Sequence, residues 1–319
     1  MKPKVLITHS LFPEVLDFME KHVDYEIGKK DGDLSKKELI KKIKDKQGLL
    51  ALLVDTVDKE ILDAAPSLKI IANCAVGYNN IDVNSARKKG IMVTNTPGVL
   101  TETTAELTWA LLFAVARRIP QAHIFTRNAQ YKGWGLDLFL GKELHRKRLG
   151  IVGMGRIGLS VARKARAFGM DIVYTDHHKL NSKEESNLRA TQLSLEELLK
   201  TSDIVTLHTT LTPKTFHLIS EKNIHLMKKT AILINVSRGP VVQEEALADA
   251  LEKAKIWGAG LDVYEDEPAI HPKLFSLDNV VLLPHIGSAT IETRTKMALM
   301  AANNLIQGLQ GETPENLIE

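Results

Sequence analysis

Short β-branched runs alternate with helical patterns along the chain. KVLITHS (4–10), GLLALLV (48–54), LKIIANC (68–74) and IMVTNTP (91–97) form a first series of strands, and their alternation with helical segments predicts parallel βαβ units. KKELIKKIKDK (36–46) places Leu39, Ile40 and Ile43 at helical spacing, so its lysines fall on a solvated face. A second series opens at Arg148 with RLGIVGMG (148–155). DIVYTD (171–176), SDIVTLH (202–208), AILINVS (231–237), GAGLDV (258–263) and NVVLLPH (279–285) follow. The fold class expected is α/β, with two Rossmann-like, doubly wound parallel-sheet domains. Between the series, TETTAELTWALLFAVARRI (101–119) is apolar nearly all round, which predicts a helix buried at a domain or subunit interface. The last pattern, ETRTKMALMAANNLIQGLQG (292–311), is helical, ends near Gly311 and has no strand after it, so it is free to cross back to the first domain.

Composition narrows the classes without choosing among enzymes. The chain has 319 residues, and a domain of about 150 residues gives roughly two domains. Apolar residues are 44% and charged residues 25%, ordinary values for a folded globular protein. A net charge of +3 gives no argument for nucleic acid or a membrane surface. A single cysteine, Cys74, excludes an intrachain disulfide and a multi-cysteine metal site. The first residues run straight into a strand pattern, and the longest apolar candidate, 107–116, is too short to span a bilayer. A cytoplasmic protein is expected.

The first chemical signal follows the strand RLGIV. Gly153-Met154-Gly155-Arg156-Ile157-Gly158 precedes a helical pattern and a strand ending in Asp176, 23 residues after Gly153. Strand, glycines, helix and acid in that order are the dinucleotide fingerprint: glycines for the tight turn, close pyrophosphate approach and helix packing, and unpaired N–H groups at the helix start. Asp176 would accept from the adenosine ribose hydroxyls and repel a 2′-phosphate, which favours NAD(H). His177, His178 and Lys179 directly after it leave NADP(H) possible. Adjacent residues at a strand end point to opposite sides, so the two histidines are not read as metal ligands.

The second signal lies at strand ends, where open α/β sheets bind ligands. Arg238 follows AILINVS, Glu267 follows GAGLDV, and His285 ends NVVLLPH. Singly these could be a surface charge, a loop acid and a partly buried imidazole. Together they are what reversible reduction of a 2-keto acid requires. Arginine grips the planar carboxylate with forked donors, histidine hands over a proton as hydride arrives, and a neighbouring glutamate favours the imidazolium. No GxSxG elbow and no P-loop is present, and no metal is called for.

Six ordered segments carry a resemblance: NCAVGYNNID (73–82), VTNTPGVLTETTAEL (93–107), GIVGMGRIG (150–158), NVSRGPVV (235–242), GLDVYEDEP (260–268) and LLPHIGSAT (282–290). In them the chain resembles the D-isomer-specific 2-hydroxyacid dehydrogenases, most closely the glyoxylate and hydroxypyruvate reductases, loosely before about residue 70 and densely after it. The resemblance implies Arg238, Glu267 and His285 as the catalytic set. It also implies substrate carboxylate at the backbone N–H groups of Val76 and Gly77. Cofactor contacts are implied at Thr104, Arg156, Ile157, Val236, Ser237, Arg238, Asp262, His285, Gly287 and Ser288; Asp262 also reads as a plain structural acid at a strand end. A substrate domain (1–100) interrupted by a cofactor domain (101–285) and completed by the last helix (286–319) is implied. So is a homodimer in which Trp134, of YKGWGLD (131–137), reaches the partner's active site, although packing in a dimer arm would place it equally well. Relatives that use NADP tend to carry a small residue and Arg where this chain has Asp176 and His177.

The expectation is an NADH-preferring reductase of a small 2-keto acid, glyoxylate or hydroxypyruvate, bound between two domains. The same residues admit another D-2-hydroxy acid, such as D-lactate, D-3-phosphoglycerate or a bulkier one, because pocket width depends on side chains around Val54, Leu100 and Trp134. They also admit an NAD-sensing scaffold or corepressor. Asn235-Val236-Ser237 is formally a glycosylation sequon, but it falls at the active-site strand end.

Overall fold

The computed structural model describes residues 1–29 and 32–318. It divides into two compact units, Met1–Leu100 with Ala289–Glu319, and Thr101–Ser288.

The first unit is a five-stranded parallel sheet. Its strands are β1 (Lys4–His9), β2 (Asp24–Lys29), β3 (Gly48–Ala51), β4 (Ile70–Asn73) and β5 (Met92–Thr94), in sheet order β2, β1, β3, β4, β5. Alternation along each strand sends side chains to opposite faces. Val5, Ile7, Leu50, Ile70 and Ala72 pack with Met19, Met297, Ala301 and Leu305 on one face. Leu6, Leu49, Ala51, Ile71 and Val93 pack with Leu39, Ile43, Ile61 and Leu62 on the other. The second partner on the first face is the final helix, Ile291–Leu309, which lies on β3, β4 and β5 and stops before Gly311 in the left-handed region. Helix Lys36–Ile43 buries Leu39 and Ile43, and its lysines pair outward: Lys36 with Asp58 and Glu60, and Lys42 with Glu26.

The second unit is a seven-stranded parallel sheet made of β6 (Arg148–Val152), β7 (Asp171–Thr175), β8 (Ala190–Gln192), β9 (Ile204–Leu207), β10 (Ile232–Asn235), β11 (Gly258–Leu261) and β12 (Val280–Leu282). Its order is β12, β11, β10, β9, β6, β7, β8. The chain starts in mid-sheet at β6, runs outward to β8 and returns to the other side at β9, so the connection reverses between β6 and β9. That is the crevice position at which such sheets bind ligands. Central strands β9, β10 and β11 are buried at every residue, as expected where helices cover both faces.

Three features depart from the sequence expectation. Helix Thr101–Ala116, expected at an interface, takes much of its burial from within its own unit. Trp109, Leu111, Leu112 and Val115 join the core with residues of β6, β7, β9 and β10, and the helix packs on β10, β11, β12 and helix Arg156–Ala167. Strands β2 and β8 had no signal. β2 has no fully buried residue, and β8 is three residues long; both are edges held mainly by register with β1 and β7. No helix among the described residues is long and apolar enough to cross a membrane.

Cys74 lies just past β4, buried in the first unit, where loss of hydration pushes its thiol up to about 12. Labelling by a thiol reagent in native buffer at pH 8 should therefore be at least about 100-fold slower than in denaturant, since it needs local opening. Labelling at the rate of a free thiol would contradict the packing of this unit.

Candidate active site

The loop after β6 uses its three glycines in three ways. Gly153 sits at φ +94°, and a Cβ there would lie 2.7 Å from the carbonyl carbon and oxygen of His208, at the end of β9. Only glycine fits this turn without strain. Gly158 is pressed on the same loop, since its Cβ would stand 2.2 Å from the Gly153 carbonyl oxygen. Gly155 caps helix Arg156–Ala167, and a Cβ on it would meet nothing within 4 Å. Steric need within the protein therefore explains Gly153 and Gly158 but not Gly155. What Gly155 provides is open approach to the unpaired N–H groups and positive dipole end of a twelve-residue helix, as a pyrophosphate requires.

Asp176 follows β7. One of its carboxylate oxygens accepts from the Met154 N–H at 2.7 Å and the other from the His178 N–H at 3.0 Å, while its backbone carbonyl accepts from Gln192. The carboxylate is tied to the glycine loop and still partly exposed, with lone pairs on both oxygens left for ribose hydroxyls. His177, His178 and Lys179 are exposed beside it, and Lys179 leans to Glu185 at 3.6 Å.

The strand ends on the other side of β6 carry the second constellation. His285, at φ +53°, directs Nδ1 to Glu267 Oε2 at 2.8 Å. Glu267 Oε1 accepts from the Tyr264 N–H at 3.0 Å. Burial alone would raise the Glu267 carboxyl, but His285, the Tyr264 N–H and the Arg238 charge outweigh it and hold the group below the usual carboxylate range. Arg238, just after β10, feels the Glu267 charge; burial draws its guanidinium below the ordinary value, yet it stays cationic at neutral pH. One of its nitrogens donates to the Ser237 carbonyl at 2.7 Å. The turn before it is shaped by Asn235, which accepts from the Ser237 N–H and hydroxyl and donates to the Arg238 carbonyl, with buried Val236 between.

Asp262, at the end of β11, is buried, and its Oδ1 accepts from the Ile286 N–H at 2.8 Å. It thus holds the residue after His285. Thr104 donates its hydroxyl to the Gly287 carbonyl at 3.1 Å, so Gly287, with Ser288 next in sequence, is fixed between helix Thr101–Ala116 and Asp262. Asp262 Oδ2 is buried and makes no well-formed hydrogen bond among the described residues, although the Gly287 N–H lies beside it; burial raises this carboxyl, while the Ile286 N–H, His285 and the Gly287 N–H act against it. An acceptor oxygen with spare lone pairs beside Gly287 suits an amide donor such as that of a nicotinamide. Together with the open face at Gly155, it makes the residues fit a nicotinamide dinucleotide.

In the first unit, Val76 and Gly77 lie in the loop after β4. Asn95 donates to the Val76 carbonyl at 2.8 Å and Asn73 to the Gly77 carbonyl at 2.9 Å. In a trans peptide the following N–H points the opposite way, so the N–H groups of Gly77 and Tyr78 are turned outward. Neither these nor the Val76 N–H bonds another group among the described residues.

Sequence reasoning missed the supports rather than the principals. Asn73, Asn95 and Tyr264 lie inside segments that carry the family resemblance without being singled out there, and Glu244 and His208 are ordinary residues of a helix and a strand pattern. His208, past β9, bonds Thr206 through Nε2 at 2.9 Å, has a buried Nδ1 without a partner among the described residues, and is pushed by burial down to about 3, so it is neutral. Among the described residues no cluster of His, Cys, Asp or Glu is arranged to hold a metal ion.

A phosphate-binding glycine loop at the reversal of a parallel sheet, paired with an imidazole–carboxylate couple at the neighbouring strand ends, belongs to the nicotinamide-dependent oxidoreductases. Comparison makes this specific. The model for the D-isomer specific 2-hydroxyacid dehydrogenase NAD binding domain matches residues 109–287, and the chain belongs to that family. The glyoxylate reductase of Thermococcus onnurineus is 47% identical over 322 residues, spanning 100% of this chain and 96% of that protein. The crystal structure of the TT0316 protein from Thermus thermophilus aligns with a TM-score of 0.93 at 44% identity, covering 99% of this chain and 100% of that one. An NADPH-dependent glyoxylate/hydroxypyruvate reductase from Sinorhizobium meliloti, solved with NADP and malonate, aligns with a TM-score of 0.87 at 30% identity, covering 100% of this chain and 97% of that one.

The division of labour among the glycines is testable. Gly155→Ala should leave the thermal midpoint unchanged but weaken cofactor binding about ten-fold or more, because the new methyl group occupies the approach to the helix N-terminus. Gly153→Ala should lose about 1–3 kcal/mol of stability as well, from strain at positive φ. Cofactor fluorescence titration and thermal melts distinguish the two. Equal destabilisation by both variants would contradict the assignment.

Proposed function

We propose that the protein reduces glyoxylate, and hydroxypyruvate with it, to the corresponding 2-hydroxy acid, with NADH as the preferred donor. The observation that carries this reading is the 2.8 Å contact between His285 Nδ1 and the Glu267 carboxylate, with Arg238 close enough to share its charge. A bound reduced nicotinamide supplies the hydride that the 2-carbon of the keto acid receives. His285 does the proton work: Glu267 engages Nδ1, which leaves Nε2 as the nitrogen that delivers a proton to the developing alkoxide. Glu267 stabilises the charged ring and fixes its tautomer, as a carboxylate does for a catalytic imidazole. Arg238 orients the substrate and draws electron density from its carbonyl through forked donors. The outward N–H groups around Val76 and Gly77 are assigned to the substrate carboxylate. Glyoxylate is favoured as substrate because the full-length relatives named above carry that activity.

NADH is preferred on the strength of Asp176. A 2′-phosphate beside that carboxylate would meet like charge, and no arginine follows it in sequence. Val236, Ser237, Asp262, Gly287 and Ser288 are assigned to the nicotinamide side, and Thr104 supports them from its helix. The reading includes a cytoplasmic homodimer. Ile119, Ile124, Tyr131, Trp134, Leu136 and Leu140 are all more than half exposed along one segment, Trp134 at 80% and Leu136 at 81%. An apolar run of that size in water argues for a second copy to cover it.

Initial rates of NADH and NADPH oxidation, crossed against glyoxylate, hydroxypyruvate and pyruvate, test this directly. The fastest turnover is expected with NADH and glyoxylate, and no turnover with any keto acid would overturn the proposal. His285→Ala should lower kcat by about a hundred- to ten-thousand-fold, the usual contribution of a positioned acid/base, with cofactor affinity nearly intact. Wild-type turnover in that variant would remove His285 from the chemistry.

A further inference from the structure

Glu267 sits on the loop between β11 and β12, and the means by which that loop is held lies outside the reacting groups. Glu244, the first residue of helix Glu244–Glu252, is a buried carboxylate, only 8% exposed. Its Oε2 accepts from the Glu265 N–H at 2.8 Å and its Oε1 from the His271 N–H at 2.7 Å. One side chain thus grips residues on both sides of Glu267. The grip is reciprocal, because Glu265 Oε2 accepts from the Glu244 N–H at 3.0 Å, and Glu265 Oε1 bonds His217 Nε2. Two neighbouring carboxylates would repel, but each here is met by two donors, and in a low-dielectric setting such a filled network is rigid.

The peptide between Tyr264 and Glu265 shows what the grip controls. Its N–H is bound by Glu244, while its carbonyl oxygen lies where a Cβ on Gly239 would be, at 1.7 Å, so the turn carrying Arg238 is packed directly on it. Tyr264 in turn donates its own N–H to Glu267 Oε1 and its hydroxyl to the Leu283 carbonyl, two residues before His285. The Arg238 turn therefore bears on this peptide plane, the Glu267 carboxylate and the approach to His285 bear on Tyr264, which contributes its carbonyl to the plane, and Glu244 holds the plane's N–H.

We propose that Glu244 is a positioning residue for the reaction: its carboxylate, paired with Glu265 and His217, fixes the loop that aims Glu267 at His285. This rests on the reading of Glu267 and His285 given above. Nothing about Glu244 requires it to touch substrate or cofactor; it acts through Glu267. The groups facing Glu267 are His285, Arg238, Asp262 and Tyr264.

Glu244→Gln tests this with little change in shape, because an amide offers an acceptor to one of the two N–H groups and sets a donor against the other. The expected result is a fall in kcat for glyoxylate reduction of about ten-fold, the scale of one charge-assisted hydrogen bond, with the cofactor Kd within about two-fold of wild type. The acid limb of the pH–rate profile should move to higher pH, because a Glu267 released from its donors keeps the burial that raises it. In a Glu267→Gln background the same substitution should cost nothing further, as expected for two residues acting through one interaction. Multiplicative losses in the two backgrounds, or an unmoved acid limb, would overturn the proposal while leaving the catalytic reading intact. Wild-type turnover in Glu267→Gln alone would overturn both. If Glu244→Gln does not fold, Glu265→Gln decides: it leaves Glu244 in place and should shift the acid limb the same way, and an unshifted limb counts against the proposal.

Discussion

The hydrogen bond between His285 and Glu267 is the contact on which the proposed chemistry depends, and each residue is brought to it by a different part of the fold. His285 is held in the left-handed region by a loop whose next N–H is tied to Asp262 and whose following carbonyl is tied to Thr104. Glu267 is folded back on Tyr264 and charged against its own burial, because an imidazole, an N–H and a guanidinium converge on it. A carboxylate this well supplied with donors stays ionised where a lone buried one would not. In the proposed reaction this lets the pair keep a proton available on one nitrogen while anchoring the other.

Both sheets make such convergence cheap. In a parallel sheet every strand delivers its C-terminal end to the same edge, so residues separate in sequence become neighbours without long connections. Gly153 after β6, Asp176 after β7, Arg238 after β10, Asp262 and Glu267 after β11, and His285 after β12 all occupy that edge of the second unit. The first unit repeats the principle with Val76 and Gly77 after β4, where two asparagines turn the peptide planes instead of a glycine-rich loop. Buried strands supply rigidity, and short loops supply the chemistry.

Much of this was legible in the chain. Central strands such as AILINVS and SDIVTLH are apolar runs because both faces are covered, and the dinucleotide loop announces itself because two of its glycines are demanded by the backbone and the third by open access to the helix start. Arg238, Glu267 and His285 stood out by falling at strand ends. What stayed hidden had physical causes. The edge strand Asp24–Lys29 has no wholly buried residue, so its register comes from β1 rather than from its own pattern. Helix Thr101–Ala116 looked like an interface element because apolar periodicity reports burial, not the identity of what does the burying; here it is largely the second unit's own core. Glu244 was invisible for a related reason: an acid in the first turn of a helix is commonplace, and only the folded chain brings Glu265 and His271 to its two oxygens.

The most direct measurement of the central contact is the nitrogen chemical shifts of His285, by NMR on protein labelled with nitrogen-15 in histidine and assigned by comparison with a His285→Gln variant. If Glu267 holds the ring as described, Nδ1 carries a hydrogen-bonded proton and the neutral ring bears its lone pair on Nε2. Replacing Glu267 by glutamine should then erase that single-tautomer pattern. A His285 ring found with its proton on Nε2 in the wild type, or a pattern indifferent to Glu267, would contradict the account.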